Sequence, residues 1–169
     1  VKGGIEKYFG KLKQKKNIKR LDVKEALQKN IKKFIEKKNT LNSYMVLGYR
    51  TVPRLHKDSY IFDVISAILG RGQSGWMFDE IRNKRGLAYQ VGINSENEID
   101  YGMFAVYCGL DKENIEKAKE IILQQFRRLE KLSGIDLDEA KTYIEGNHTL
   151  QLEDNFHHAD DFAVWETIK

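Results

Sequence analysis

The sequence predicts an α+β domain: a largely antiparallel sheet with helices packed on one face. Three observations predict it. A β-rich, mostly apolar run, SYMVLGYRTV (43–52), precedes two segments of helical periodicity. Two more β-rich runs then lie close together, joined by a polar link suited to a hairpin. Everything after them is helical in pattern. Strands joined by short links pair antiparallel, and helices that come in runs gather on one face of the sheet.

Residues 1–20 read as a linker or arm and 21–169 as the domain. DVKEALQKNIKKFIEK (22–37) predicts a helix, with apolar residues at Val23, Ala26/Leu27, Ile31 and Phe34/Ile35. The first strand follows, with much of its surface expected to be buried, and the only proline, Pro53, ends it. A helix over 57–69 has Asp58 near its start and Ile61, Val64/Ile65 and Ile68 on one face. Residues 70–75 form a turn and 75–85 a second helix. Strands over 87–94 and 101–110 are linked by SENEIDYG. Asp111 is the expected N-cap of a long amphipathic helix whose stripe runs Ile115, Ala118, Ile122, Phe126, Leu129, Leu132. Asp136 with Glu139 reads as a capping box, with Ile135 stapled onto Ala140. The tail, NFHHADDFAVWETI, predicts a last helix with Phe156, Phe162/Ala163 and Trp165 in the core.

One hundred and sixty-nine residues suffice for one domain with its own core. The hydrophobic share of 41% and charged share of 32% are those of a globular protein rather than a disordered chain. No apolar run approaches the roughly 20 residues of a membrane helix, so no membrane partner is expected. The single cysteine, Cys108, excludes an internal disulfide and alternates with apolar residues in MFAVYCGL, the pattern of a buried, inert thiol. A reducing, cytoplasmic setting follows as the expectation. The chain opens at valine and runs at once into Gly-Gly and lysines, as a chain cut from a longer one would. The net charge of +4 is uneven: residues 1–38 carry 14 Lys/Arg against 4 Asp/Glu. Such a block can bind nucleic acid, but it is nearly all lysine with few aromatics, which suits a solvated arm better.

Two motifs invite misreading. GRGQSG (70–75) is a literal G-x-G-x-x-G, but a dinucleotide site needs a strand before it. YIFDVISAIL reads as a helix instead, so the glycines serve a tight helix–helix turn. His56, His148, His157 and His158 have neither the i, i+4 spacing nor the HxxEH or HExxH pattern of a helical zinc pair.

The remaining signal is EIRNKRGLAYQV (80–91), in which Arg82 precedes Tyr89 by seven residues with Gly86 between them. Together with IEKYFGKL (5–12), LGYR, DSYIFDVISAILG, GQSGWMFDEIRNKRGLAYQV (72–91), YGMFAVYCGL and IDLDEAK, it resembles the C-terminal domain of a half of the pitrilysin/insulysin zinc metallopeptidases. That family includes mitochondrial processing peptidase, and its halves share a LuxS- and processing-peptidase-like fold. The resemblance covers 41–168, with IEKYFGKL similar to the end of the linker between paired domains. It implies that zinc is held elsewhere, by the HxxEH helix of an N-terminal domain or partner subunit. This chain would close over that site and supply Arg82 and Tyr89 to catalysis and peptide binding, with Ser74 and Gly75 as further substrate-binding residues. A phenol O–H facing the scissile carbonyl can stabilise an oxyanion, and a guanidinium can fork onto peptide carbonyls. Two departures stand out. Ser74-Gly75-Trp76-Met77-Phe78 replaces the family's Ser-Ser-Arg-Leu-Phe, so the turn lacks its arginine. The glycine-rich loop of processing-peptidase relatives is also much shorter, which favours a bacterial or archaeal peptidase-like protein. The expected activity is therefore metalloendopeptidase, exerted only as part of a larger protein or complex, with a dimer as one possible assembly. The alternatives are an inactive assembly subunit of the same fold and a basic nucleic-acid-binding module.

Overall fold

The computed structural model describes residues 2–13 and 28–168. The chain divides into two compact units, 1–33 and 34–169. In the first, α1 (Lys2–Phe9) is a helix with no buried residue. Of the helix predicted over 22–37, residues 22–27 lie outside the described residues and 28–37 are not helical. Ile31, Phe34 and Ile35 are 97%, 86% and 67% exposed, so the described part of the expected apolar stripe is not buried. A short helix without tertiary burial is marginal in water, and five lysines over 29–38 repel one another.

The second unit is built on three antiparallel strands, β1 (Ser43–Thr51), β2 (Ala88–Asn97) and β3 (Gly102–Leu110), in the order β1-β3-β2. The hairpin between β2 and β3 is tighter than its polar sequence suggests: β2 runs through Ser95–Asn97, and Glu98 N–H bonds Tyr101 O at 2.9 Å. Alternate residues of β3, namely Phe104, Val106, Cys108 and Leu110, are all under 4% exposed. Their cross-strand partners Met45, Leu47, Val91 and Ile93 share that face. Residues two apart on a strand point the same way, so this is the inner face of the sheet.

The helical layer covers it. α2 (Ser59–Gly70) contributes Ala67, Ile68 and Leu69; Ile61, expected on the same face, is 54% exposed. A 3₁₀ turn (Gly72–Ser74) leads into α3 (Trp76–Phe78), which continues as a π-helical segment, Asp79–Asn83, and adds Trp76, Met77 and Ile81. α4 (Ile115–Arg128) buries Ala118, Ile121 and Ile122. Its apolar stripe runs on through Leu129 in a 3₁₀ turn (Leu129–Lys131) to Leu132. The Arg128 guanidinium sits 3.7 Å from the Trp76 ring centroid and ties α4 to α3. Each fully buried Leu or Ile contributes roughly 1.5–3 kcal/mol.

Four expectations are corrected. Asp111 has extended backbone, but its side chain makes no cap bond; it opens a 3₁₀ turn (Lys112–Asn114) ahead of α4. α5 (Gly134–Gln151) starts earlier than the Asp136 cap would allow. Ser133 is the N-cap, its hydroxyl accepting the Asp136 N–H at 3.2 Å and donating to Asp136 Oδ2 at 2.5 Å. Ile135 is 73% exposed and staples nothing, while Ala140 is buried. In α6 (Asn155–Ile168), Phe156 and Phe162 are 70% and 75% exposed and Trp165 is 39% exposed, so none is core. Its apolar residues are spread around the helix instead of forming one face, and Trp165 takes the Arg54 guanidinium at 5.5 Å. Finally, β1 is covered on one face only: Tyr44 and Val46 alternate with Met45 and Leu47 and are about 70% exposed.

Candidate functional site

The segment carrying Arg82 is wound more loosely than an α-helix. Lys84 N–H reaches back five residues to Asp79 O at 2.9 Å. Glu80 anchors the segment from within, its carboxylate accepting Lys84 Nζ at 2.7 Å and the Arg85 guanidinium, which also donates to the Glu80 carbonyl at 2.9 Å. The Lys84 hydrogen bond, with help from Arg85, holds Glu80 below the usual carboxylate range against the opposing effect of its burial. The segment closes with Gly86 N–H on Arg82 O at 3.0 Å and Leu87 N–H on Ile81 O at 2.9 Å. Each span is one residue wider than in the usual Schellman ending. Gly86 turns the chain at φ 59°, in the left-handed region that favours a residue without Cβ. Arg82 is exposed, with its guanidinium 5.0 Å from the Phe78 ring centroid one turn earlier.

Two residues after buried Leu87, Tyr89 stands in a β-bulge. Ala88 is opposite Leu110 and Gln90 opposite Gly109, which leaves Tyr89 as the extra residue of β2. Its ring lies across Gly109: a Cβ there would come within 2.6 Å of Tyr89 Cε2 and 3.0 Å of its hydroxyl oxygen. Gly109 alternates with the buried residues of β3, so Tyr89 lies on the outer face of the sheet, opposite the helices. That face also carries Tyr44, Val46 and Tyr107, the last packed over Gly92. Tyr89 is 41% exposed. Desolvation first, then hydrogen bonding with Tyr44 and the negative charge of Asp111, raise its pKa above that of an ordinary phenol. It therefore stays protonated, a neutral donor. Neither Tyr44 nor Gly109 was marked by the sequence. Alternation in SYMVLGYRTV puts Tyr44 on the side opposite Met45 and Leu47, but which residue faces it depends on register.

Ser74 and Gly75 have other neighbours. Ser74 Oγ donates to Arg71 O at 3.2 Å, and a Cβ on Gly75 would lie 2.8 Å from Arg71 N and Leu69 O. The turn is tied to α5 by the Arg71–Glu139 ion pair and borders a cavity of about 580 Å³ lined by Ser74, Asp138, Thr142 and Tyr143. The structure thus places Arg82 and Tyr89 around one turn, and Ser74 and Gly75 beside α5. A helix, α2, precedes GRGQSG, so the dinucleotide geometry is absent there. Cys108 lies on the inner face with its thiol pushed up to about 11 by burial, an unreactive state at neutral pH. Among the described residues, no three His, Cys, Asp or Glu side chains group as metal ligands, so the donors here do not fit a zinc ion.

A one-sided antiparallel sheet, a π-widened turn and a phenol on the outer face of the sheet make up the candidate site. The family model described as the peptidase M16 inactive domain matches residues 2–147, and the chain belongs to that family. It is similar to the "Uncharacterized zinc protease YmxG" of Bacillus subtilis, 26% identical over 151 residues, which span 88% of this chain and 36% of that protein. It is also similar to the "Probable inactive metalloprotease YmfF" of the same organism, 25% identical over 166 residues, 96% of this chain and 38% of the other. Among solved structures, a protease from Helicobacter pylori superposes with a TM-score of 0.69 at 26% identity, covering 78% of this chain and 33% of that one. The chain thus spans little more than a third of the length of these two Bacillus subtilis relatives.

Proposed function

We propose that this chain is the metal-free domain of a two-domain or two-subunit zinc metallopeptidase, closing over a zinc-bearing HxxEH domain or subunit, with residues 1–20 as the arm between them. In this reading the zinc would be held by that partner, where it would supply Lewis acidity for peptide hydrolysis. Tyr89 donates its phenolic hydrogen to the carbonyl oxygen as negative charge develops there, and Arg82 grips peptide carbonyls nearby. Ser74 and Gly75 would border a more distant stretch of the peptide, beside α5. The observation that carries this reading is the position of Tyr89: protonated, raised on a bulge, and on the face of the sheet turned away from α2 and α4. The named relatives add that such domains occur in zinc proteases. No helix among the described residues is long and apolar enough to cross a membrane. The single cysteine, Cys108, buried and in no disulfide, supports a reducing, cytoplasmic setting.

The test is kinetic. In the assembled peptidase, Tyr89→Phe is expected to lower kcat about tenfold or more with KM little changed. A change confined to KM would remove the oxyanion role.

A second reading, an inactive assembly subunit of the same fold, is favoured by the similarity to a protein named as a probable inactive metalloprotease. It predicts no peptide hydrolysis by the assembly, whatever stands at position 89. For the basic segment of 1–38, a gel shift at low salt that shows no nucleic-acid binding disposes of the remaining alternative.

A further inference from the structure

We propose that Tyr44 is a positioning residue for Tyr89, holding the Tyr89 hydroxyl across the side-chain gap at Gly109. This rests on the reading of Tyr89 as an oxyanion donor and adds the residue that aims it. Three features of the sheet converge on it. Tyr44 on β1 is directly opposite Gly109 on β3, so its side chain rises from the outer face beside that glycine. From the other edge, the bulge at Tyr89 releases its side chain from the regular ladder, and the ring reaches over the same Gly109. Two phenols from the two outer strands thus flank the same glycine of the middle strand, where a side chain would stand between them. Tyr44 is also the neighbour that, after desolvation, does most to raise the pKa of Tyr89.

The chemical consequence is a two-phenol chain. A phenol free to rotate on an open sheet face samples many hydroxyl positions, whereas one tethered to a second hydroxyl is held near one. When a carbonyl oxygen takes the Tyr89 hydrogen, Tyr44 can turn its own O–H onto the Tyr89 oxygen. Hydrogen bonds in such a chain polarise one another, so Tyr89 becomes a stronger donor as charge grows on the oxyanion. Tyr44 never touches substrate in this scheme; it acts through Tyr89.

The test is a double-mutant cycle in the assembled peptidase, with quenched fluorescent casein as substrate, and a tyrosinate absorbance titration of the chain itself. Tyr44→Phe is expected to lower kcat about threefold to tenfold with KM unchanged, and to cost nothing further in the Tyr89→Phe background. In the titration, the Tyr89 component, isolated by difference against Tyr89→Phe, should move to lower pH in Tyr44→Phe, because the hydroxyl that stabilises the neutral phenol is gone. Loss of kcat in Tyr89→Phe with none in Tyr44→Phe, or equal Tyr44→Phe losses in both backgrounds, would overturn the positioning role and leave the oxyanion reading intact. An unmoved titration would overturn the pairing whether or not the assembly is active. If Tyr89→Phe has no effect on kcat in an active assembly, both ideas fall together.

Discussion

At Gly109, the absence of a side chain sets where a functional one can lie. A methyl group there would stand 2.6 Å from the Tyr89 ring, and the clash could be relieved only by displacing the phenol from the sheet. Gly109→Ala is therefore expected to mimic Tyr89→Phe in kcat to within a few-fold. Its cost in folding, measured by urea denaturation, should be about 1–3 kcal/mol, the usual penalty of overpacking. An alanine variant with wild-type kcat would show that the phenol does not need its seat. The sequence exposed only half of this site. Arg82 and Tyr89 are seven residues apart on one turn, and local spacing carries them. Tyr44 and Gly109 are 65 positions apart. Their meeting depends on strand register, which single-sequence periodicity does not encode.

Among the elements, the π-helical turn is the least regular and the most heavily braced. Glu80 links Lys84, Arg85 and its own carbonyl into one clamp within the segment that carries Arg82. Because its folded pKa is lowered, Glu80 contributes stability that is fully present above its unfolded value and is lost as pH falls through the carboxylate range. The wild-type protein should thus lose Tm on acidification more steeply than Glu80→Gln; parallel Tm–pH curves would remove the clamp from the account. The sequence marked a helix over 75–85 but not its widening, since five-residue spacing leaves no periodic trace in so short a segment. It also marked the start of α5 one turn late. Ser133 and Asp136 are both good caps, and the apolar Ile135 pointed to the wrong one.

For the molecule as a whole, the sequence showed the strands and the order of helices well because their apolar residues recur at the right intervals and are buried. Where aromatic residues end up exposed, as in α6 and at Phe34, the same pattern misled, since residue type alone does not report what packs against it. The two cases separate by experiment. Ile122→Ala, which hollows a fully buried position, is expected to cost about 2–5 kcal/mol, whereas Phe162→Ser should stay within about 0.5 kcal/mol. A large loss at Phe162 would mean that α6 is packed after all. Along nine residues β1 is bonded to β3 on one side, and among the described residues no strand lies on the other. A strand edge of that kind is a template on which a second copy can line up. Purified alone, the chain should form larger species as it is concentrated, visible as rising light scattering, and Val46→Lys, by seeding that border with charge, should keep the solution clear.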